Sequence, residues 1–229
     1  MYNGDRLFFP EYRYKEIKRL IKRHKSIKPQ LSKKNLQRAK KILFDVVDLL
    51  EENKIDYHLE GGTLLGFVRD RKLLPWDFDI DLSFFTDDAK KFLPLSSRLL
   101  KKGYKVTKRR FGYTKYSYRK NDYRIFKVKP FLLSIVKECI PFFRKIYVNL
   151  DILIKYSDGT KVYWQAKEKI MCVDKKYYES YETIECLGRS FRVPNHYKDY
   201  LTEKYGDWSV PVKEWDCSRD EKTVCGEAG

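Results

Sequence analysis

Between Trp76 and Phe84 the chain reads Trp-Asp-Phe-Asp-Ile-Asp-Leu-Ser-Phe, a strict alternation of apolar and acidic or hydroxyl residues. A period of two is the signature of a β-strand, whose successive side chains point to opposite faces. Phe78, Ile80, Leu82 and Phe84 therefore share a packing face, and Asp77, Asp79, Asp81 and Ser83 share the other. Carboxylates two residues apart on one strand face stand about 7 Å apart. Such a row repels itself, and a hard divalent cation reverses the penalty. An Asp-x-Asp alone is common, so the flanking sequence has to decide whether it carries chemistry.

Two flanking features strengthen it. Upstream, Ile55 to Leu59 reads as a short strand that runs through Gly61-Gly62-Thr63 into a helix beginning near Leu64 and lasting to Val68. A strand entering a helix through glycines aims backbone N–H groups and the positive end of the helix dipole at one point, where an anion is favoured. Downstream, Ile146 to Ile154 alternates again and carries one acid, Asp151, on an otherwise aliphatic strand. Asp151 is thus a candidate third ligand from a neighbouring strand.

The rest of the chain supplies an α+β frame. Leu36, Ala39, Leu43, Val46, Val47 and Leu50 recur at helical spacing behind Ser32, predicting an amphipathic helix from Ser32 to Asn53. A helix is expected over Asp87 to Gly103, and a hairpin over Phe111 to Val128 turning at Lys120-Asn121-Asp122. The apolar run Phe131 to Phe143 is too short and too interrupted to span a bilayer and is expected as a buried element or an insert packed on the core. Short strands follow from Tyr177, then a helix from about Asn195 to Tyr205 stopped at Gly206. The organisation expected is a basic helical extension over 1–30, one catalytic domain over 31–215 and a loose polar tail over 216–229.

Charge narrows the partners. The 49 Lys and Arg against 32 Asp and Glu leave +17, enough to attract phosphates, nucleic acid or anionic lipid. The density is greatest from Arg13 to Lys41, which reads as a solvated helix or as a peripheral membrane contact. Five cysteines without close paired spacing suggest a reducing compartment, with Cys217 and Cys225 able to pair but under no demand to do so. No apolar signal region precedes the charged residues, so a cytoplasmic location is expected, with membrane association through the basic N-terminus left open. The three histidines are dispersed, and His58 is expected to pack or cap; no Ser-His-Asp or Cys-His arrangement can be built.

The segment Glu60-Gly61-Gly62-Thr63-Leu64-Leu65-Gly66-Phe67-Val68-Arg69, followed by Leu74-Pro75-Trp76-Asp77-Phe78-Asp79-Ile80-Asp81, resembles the signature of the LicD/fukutin family. The resemblance covers Lys54 to Ser83 closely, extends to the Asp151 strand, and reappears in Gly188 to Pro194 and in Tyr200-Leu201 through Tyr205-Gly206-Asp207-Trp208. It departs at Phe78, where many members carry another acid.

The resemblance implies a nucleotidyltransferase (polymerase-beta-like) fold, with a mixed sheet flanked by helices. It also implies a metal-dependent phosphotransferase that moves phosphocholine, ribitol phosphate or glycerol phosphate from a CDP-activated donor to a hydroxyl of a glycan or glycolipid. Together with the chemistry above, it makes Asp79 and Asp81 the expected principal ligands of Mg²⁺ or Mn²⁺, Asp151 a third ligand or base, and Asp77 a further ligand or a turn cap. Gly61 and Gly62 would admit the donor diphosphate, Thr63 would offer its hydroxyl or cap the helix, and Arg69 would grip a phosphate or bridge Asp70 or Glu60. The alternative activity is transfer of a nucleoside monophosphate to RNA or another acceptor, with Tyr113, Tyr116, Tyr118 and Tyr123 stacking bases. Nucleic acid is the less favoured partner.

Overall fold

The computed structural model describes residues 30–31 and 34–228. The expected N-terminal extension and the Ser32 cap lie outside these residues. The first described helix, α1 (Lys34–Glu52), buries Ala39, Leu43, Val46, Val47 and Leu50 of the stripe predicted from periodicity, with Leu36 partly buried and Ile42 and Leu49 added to it. It ends where Lys54 turns left-handed (φ 53°). There the Ile55 N–H returns to the Leu50 carbonyl (2.9 Å) and the Lys54 N–H to that of Glu51 (3.1 Å), satisfying the last carbonyls while Ile55 packs inward.

The strand expected at 55–59 is therefore shorter, β1 (His58–Leu59), and leads into α2 (Gly61–Arg69). Next comes β2 (Asp79–Phe85), then α3 (Thr86–Phe92) and α4 (Ser96–Lys101) in place of the single helix expected over 87–103. Pro94 lacks an N–H and breaks the helix into a 3-10 turn at Leu93–Leu95. The strands β3 (Tyr104–Arg110) and β4 (Tyr123–Pro130) form the hairpin. Its first arm precedes the predicted one, because Phe111 to Asp122 is a long connection in which Tyr116 and Asn121 take positive φ.

Then follow α5 (Phe131–Cys139), a 3-10 turn at Pro141–Ile146, and β5 (Asn149–Ser157), β6 (Lys161–Ala166) and β7 (Lys169–Asp174). The hairpin β8 (Tyr181–Cys186) and β9 (Arg189–Pro194) precedes α6 (Tyr197–Tyr205), which stops at Gly206 as expected. The segment expected as a loose tail includes a last strand, β10 (Val224–Glu227), on the edge of β7, and Glu221 and Thr223 are buried. Main-chain pairing with β7 anchors it despite its polar side chains.

The main sheet is mixed and flanked by helices, the α+β arrangement expected. Strand β5 is its axis: it pairs parallel with β2 on one side and antiparallel with β4 on the other, and its C-terminal end continues into β6, β7 and β10. One register matters above the others. Asp81 lies opposite Asp151, and Asp151 lies opposite Lys127. The apolar faces of these strands, Ile80, Leu82 and Phe84 with Leu150, Ile152 and Ile154, are buried under α1 and its neighbours.

The run from Phe131 corrects its expectation: Phe131, Leu132, Ile135, Ile140 and Phe142 are exposed instead of packed on the core. No described helix is long and apolar enough to cross a membrane.

Candidate metal and phosphate site

Parallel pairing of β2 with β5 places the two acid-bearing strands side by side, in step. The result is a cluster in which carboxylate oxygens of Asp79, Asp81 and Asp151 all lie within 4.8 Å of one another. They sit in a cleft of about 770 Å³ whose walls include Asp77, Gly61, Gly62, Trp76, Trp164, Trp208 and Trp215, with Arg109, Arg124, Lys127, Lys204 and Lys213. Three anionic oxygens at that separation, half-buried or buried, form a donor set suited to a hard divalent ion. Burial raises the Asp81 carboxyl well above the usual carboxylate range, and the charges of Asp79, Asp77, Asp151 and Glu60 push the same way. A cation between these groups would reverse that repulsion.

Each acid is held by the fold. The Asp81 N–H donates to Thr63 Oγ1 (2.9 Å), and the Asp81 carbonyl accepts from the Glu60 N–H (3.1 Å), so α2 is clamped to β2 at the acid row. Asp151 accepts from Asn149 Nδ2 (2.6 Å) and is ion-paired to Lys127 on β4. Asp77 accepts from the Phe78 N–H (2.9 Å), which is a turn cap, and lies beside Gly62 at the edge of the cluster.

Both glycines line the cleft, and the structure gives a further reason for them. Gly61 has φ +56°, and a Cβ there would stand 2.5 Å from Asp81 Oδ2. At Gly62 a Cβ would fall on Asp77 Oδ2. The space that glycine opens is filled by the protein's own carboxylates. Likewise the first free helix N–H, that of Gly61, is taken by the Glu60 side chain (3.0 Å). Thr63 is buried behind the row and bonds the Asp81 backbone, outside the cleft wall. The Arg69 guanidinium forks onto Asp70 (2.8 and 3.1 Å) and reaches the Trp208 carbonyl (3.2 Å). It therefore ties α2 to the chain after α6 and bridges Asp70, the second of the roles open to it.

The tyrosines proposed to stack bases are used internally. Tyr118 is fully buried on Phe111 (ring centroids 3.7 Å), Tyr116 stacks on Tyr163 (4.7 Å), Tyr113 bonds Gln165, and the Arg110 guanidinium covers Tyr123 (4.0 Å). His58 packs as expected, between Tyr178 and Tyr181. Among the described residues Cys172, Cys186, Cys217 and Cys225 are free thiols, so Cys217 and Cys225 do not pair.

Sequence reasoning missed a second charge cluster directly behind the glycine turn. Glu60 is fully buried and accepts from Tyr200 Oη (2.6 Å), with Lys155 Nζ at 2.7 Å and Lys204 Nζ at 3.7 Å. Lys204 also pairs with Glu221 (3.0 Å), and Lys155 lies over the Trp164 ring (3.6 Å). Burial alone would raise the Glu60 carboxyl, but Lys155 and Lys204 hold it well below the usual range. The available signal was Lys155 itself, a charge ending the Ile152-Leu153-Ile154 run of β5. Lys127 was equally legible as a cation within the apolar run of β4.

The cleft at the parallel junction of the mixed sheet thus sets acids at its centre and cations in its wall, the two charges that a cation with a phosphate-bearing ligand would meet. The family model described as "LicD/FKTN/FKRP, nucleotidyltransferase domain" matches residues 54–196, and the chain belongs to that family. Among its relatives is the ribitol-5-phosphate transferase FKTN of Mus musculus, 26% identical over 213 residues, 91% of this chain and 41% of that protein. The ribitol 5-phosphate transferase FKRP of Homo sapiens is 46% identical over 44 residues, 19% of this chain and 9% of that protein. The lipopolysaccharide cholinephosphotransferase LicD of Haemophilus influenzae is 34% identical over 67 residues, 28% of this chain and 25% of that protein. The chain spans less than half the length of these relatives.

Proposed function

We propose that this chain has the nucleotidyltransferase fold and transfers a phospho-alcohol (phosphocholine, ribitol phosphate or glycerol phosphate) from a CDP-activated donor to a glycan hydroxyl, releasing CMP. The observation that carries the reading is the convergence of Asp79, Asp81 and Asp151 within 4.8 Å inside a cation-walled cleft. Relatives named as ribitol-phosphate and phosphocholine transferases support the choice of transferred group. Mg²⁺ or Mn²⁺ held by these three acids, with Asp77 beside them, would neutralise charge on the donor diphosphate.

The chain's own groups account for the remaining requirements. Arg109, Arg124 and Lys213 attract and orient phosphate oxygens in the cleft, and the tryptophan faces of its wall take the base or sugar rings. Asp151, held in one orientation by Asn149 and Lys127, accepts the proton of the attacking hydroxyl. Positioning and charge neutralisation supply most of the acceleration.

The test is CMP release from CDP-choline, CDP-ribitol and CDP-glycerol, with CTP and ATP alongside, in the presence of Mg²⁺ or of a chelator. Turnover confined to a CDP-alcohol, dependent on the ion and lowered about a thousandfold or more by Asp81→Asn, is the expected result. Incorporation of nucleoside monophosphate into RNA, without CDP-alcohol turnover, would replace this reading with the alternative.

A further inference from the structure

The proposed reaction leaves one prominent surface unused. Helix α5 and the 3-10 turn after it present Leu132 (70% exposed), Phe142 (62%), Ile135 (55%), Ile140 (46%) and Phe131 (42%) to solvent. Phe131, Leu132 and Ile135 are related by three and four residues, so they form one outward stripe of the helix. Exposed apolar side chains gathered in this way mark an interaction surface, because leaving them in water forfeits the gain of burial.

The charge around the stripe decides its partner. From Lys129 to Leu150 the chain carries Lys129, Lys137, Arg144 and Lys145 against a single acid, Glu138. An apolar face with a cationic rim matches the interface of an anionic bilayer, where the hydrocarbon boundary takes the apolar side chains and the headgroups take the cations. A second copy of the same face would instead bring two like-charged rims together, on a chain that already carries +17.

Placement agrees with this partner. Strand β4 runs from Lys127, ion-paired to Asp151, to Pro130, and α5 begins at the next residue. At about 3.4 Å per residue the stripe starts about 14 Å along the chain from Lys127, the partner of Asp151, at the end of the sheet where β2 and β5 begin. The segment is tethered to the body at two points. The Phe131 N–H bonds the Gly103 carbonyl (2.8 Å), and Asn35 Nδ2 bonds the Lys145 carbonyl (2.8 Å).

We propose that the face formed by Phe131, Leu132, Ile135, Ile140 and Phe142 docks on an anionic lipid surface and holds the mouth of the cleft against it. Nine residues of helix cannot span a bilayer, so the contact is interfacial, and it depends on both apolar insertion and headgroup charge.

The test uses the full chain in flotation with vesicles of phosphatidylcholine alone and of phosphatidylcholine mixed with phosphatidylglycerol. Leu132→Glu/Ile135→Glu is compared with Leu100→Glu, an apolar position on α4 about as exposed as Ile135. Thermal melting verifies that each variant is folded. The expected result is binding to the anionic vesicles that weakens with salt, a loss of about tenfold or more in the double variant, and no loss in Leu100→Glu. Three results would overturn the proposal: no vesicle binding by the parent chain, equal binding by the double variant, or a lipid-free dimer that the double variant dissolves. The readout is independent of catalysis, so it stands or fails separately from the phosphotransferase reading.

Discussion

Two carboxylates face each other across the Gly61 turn and live in opposite electrostatic surroundings. Glu60 is buried among cations, with Lys155 at 2.7 Å and Lys204 at 3.7 Å, and its carboxyl is held well below the usual range in spite of burial. Asp81 is half-buried among anions, and burial with the charges of Asp79, Asp77 and Asp151 drives its carboxyl well above that range. The first site is complete within the chain. The second carries an excess of negative charge that the proposed cation would offset. A buried charge with its counter-charges built in belongs to the structure, and a cleft of acids with excess like charge is a candidate for binding.

The difference can be broken from either side. Removing the Glu60 charge leaves Lys155 buried without its directly paired carboxylate, so Glu60→Gln should destabilise the protein by about 3–5 kcal/mol in denaturant unfolding. Asp81→Asn, which removes one of several like charges, should leave the ion-free protein at least as stable as the parent. Equal destabilisation by both substitutions would erase the distinction drawn here.

A smaller effect comes from His58, which burial depresses to about 4 beside the Glu60 cluster. Its ordinary value is 6.5, so between pH 6.5 and 4 the unfolded chain takes up a proton that the folded chain refuses. Stability should therefore be unaffected by this group above pH 6.5 and fall by about 3 kcal/mol as pH drops from 6.5 to 4. Unfolding free energies measured across that window, with His58→Gln removing this component of the slope, check it. A smaller effect still is expected at Thr63, whose hydroxyl accepts the Asp81 N–H; Thr63→Val should lower stability by about 1 kcal/mol. It should also weaken metal affinity while leaving the Glu60 cluster undisturbed.

The candidate site was legible where it depended on local pattern. Period-two alternation put Asp79 and Asp81 on one face, and the lone acid in an aliphatic run singled out Asp151. Their meeting was not legible, because the register of Asp81 opposite Asp151 is set by parallel pairing across some seventy residues of intervening chain. Arg69 and Thr63 were each open to a ligand or a structural role, and the partners seen, Asp70 with the Trp208 carbonyl and the Asp81 N–H, are contacts of the fold, with Arg69 also in the cleft wall. The stripe on α5 was expected inside because its composition is that of a core segment; the neighbours that a core requires are missing at Leu132 and Ile135. Pro94, which splits the helix after β2, and the long connection from Phe111 to Asp122 show the usual precedence of chain stereochemistry over periodicity.

The most direct test of the central claim is the thermal midpoint of the full chain with Mn²⁺ or Mg²⁺ and with a chelator, for the parent and for Asp81→Asn and Asp151→Asn. An ion held jointly by Asp79, Asp81 and Asp151 raises the parent midpoint with concentration and does so far less in either variant. A parent midpoint indifferent to the ions, or an equal rise in both variants, would contradict the assignment of these three acids to one cation.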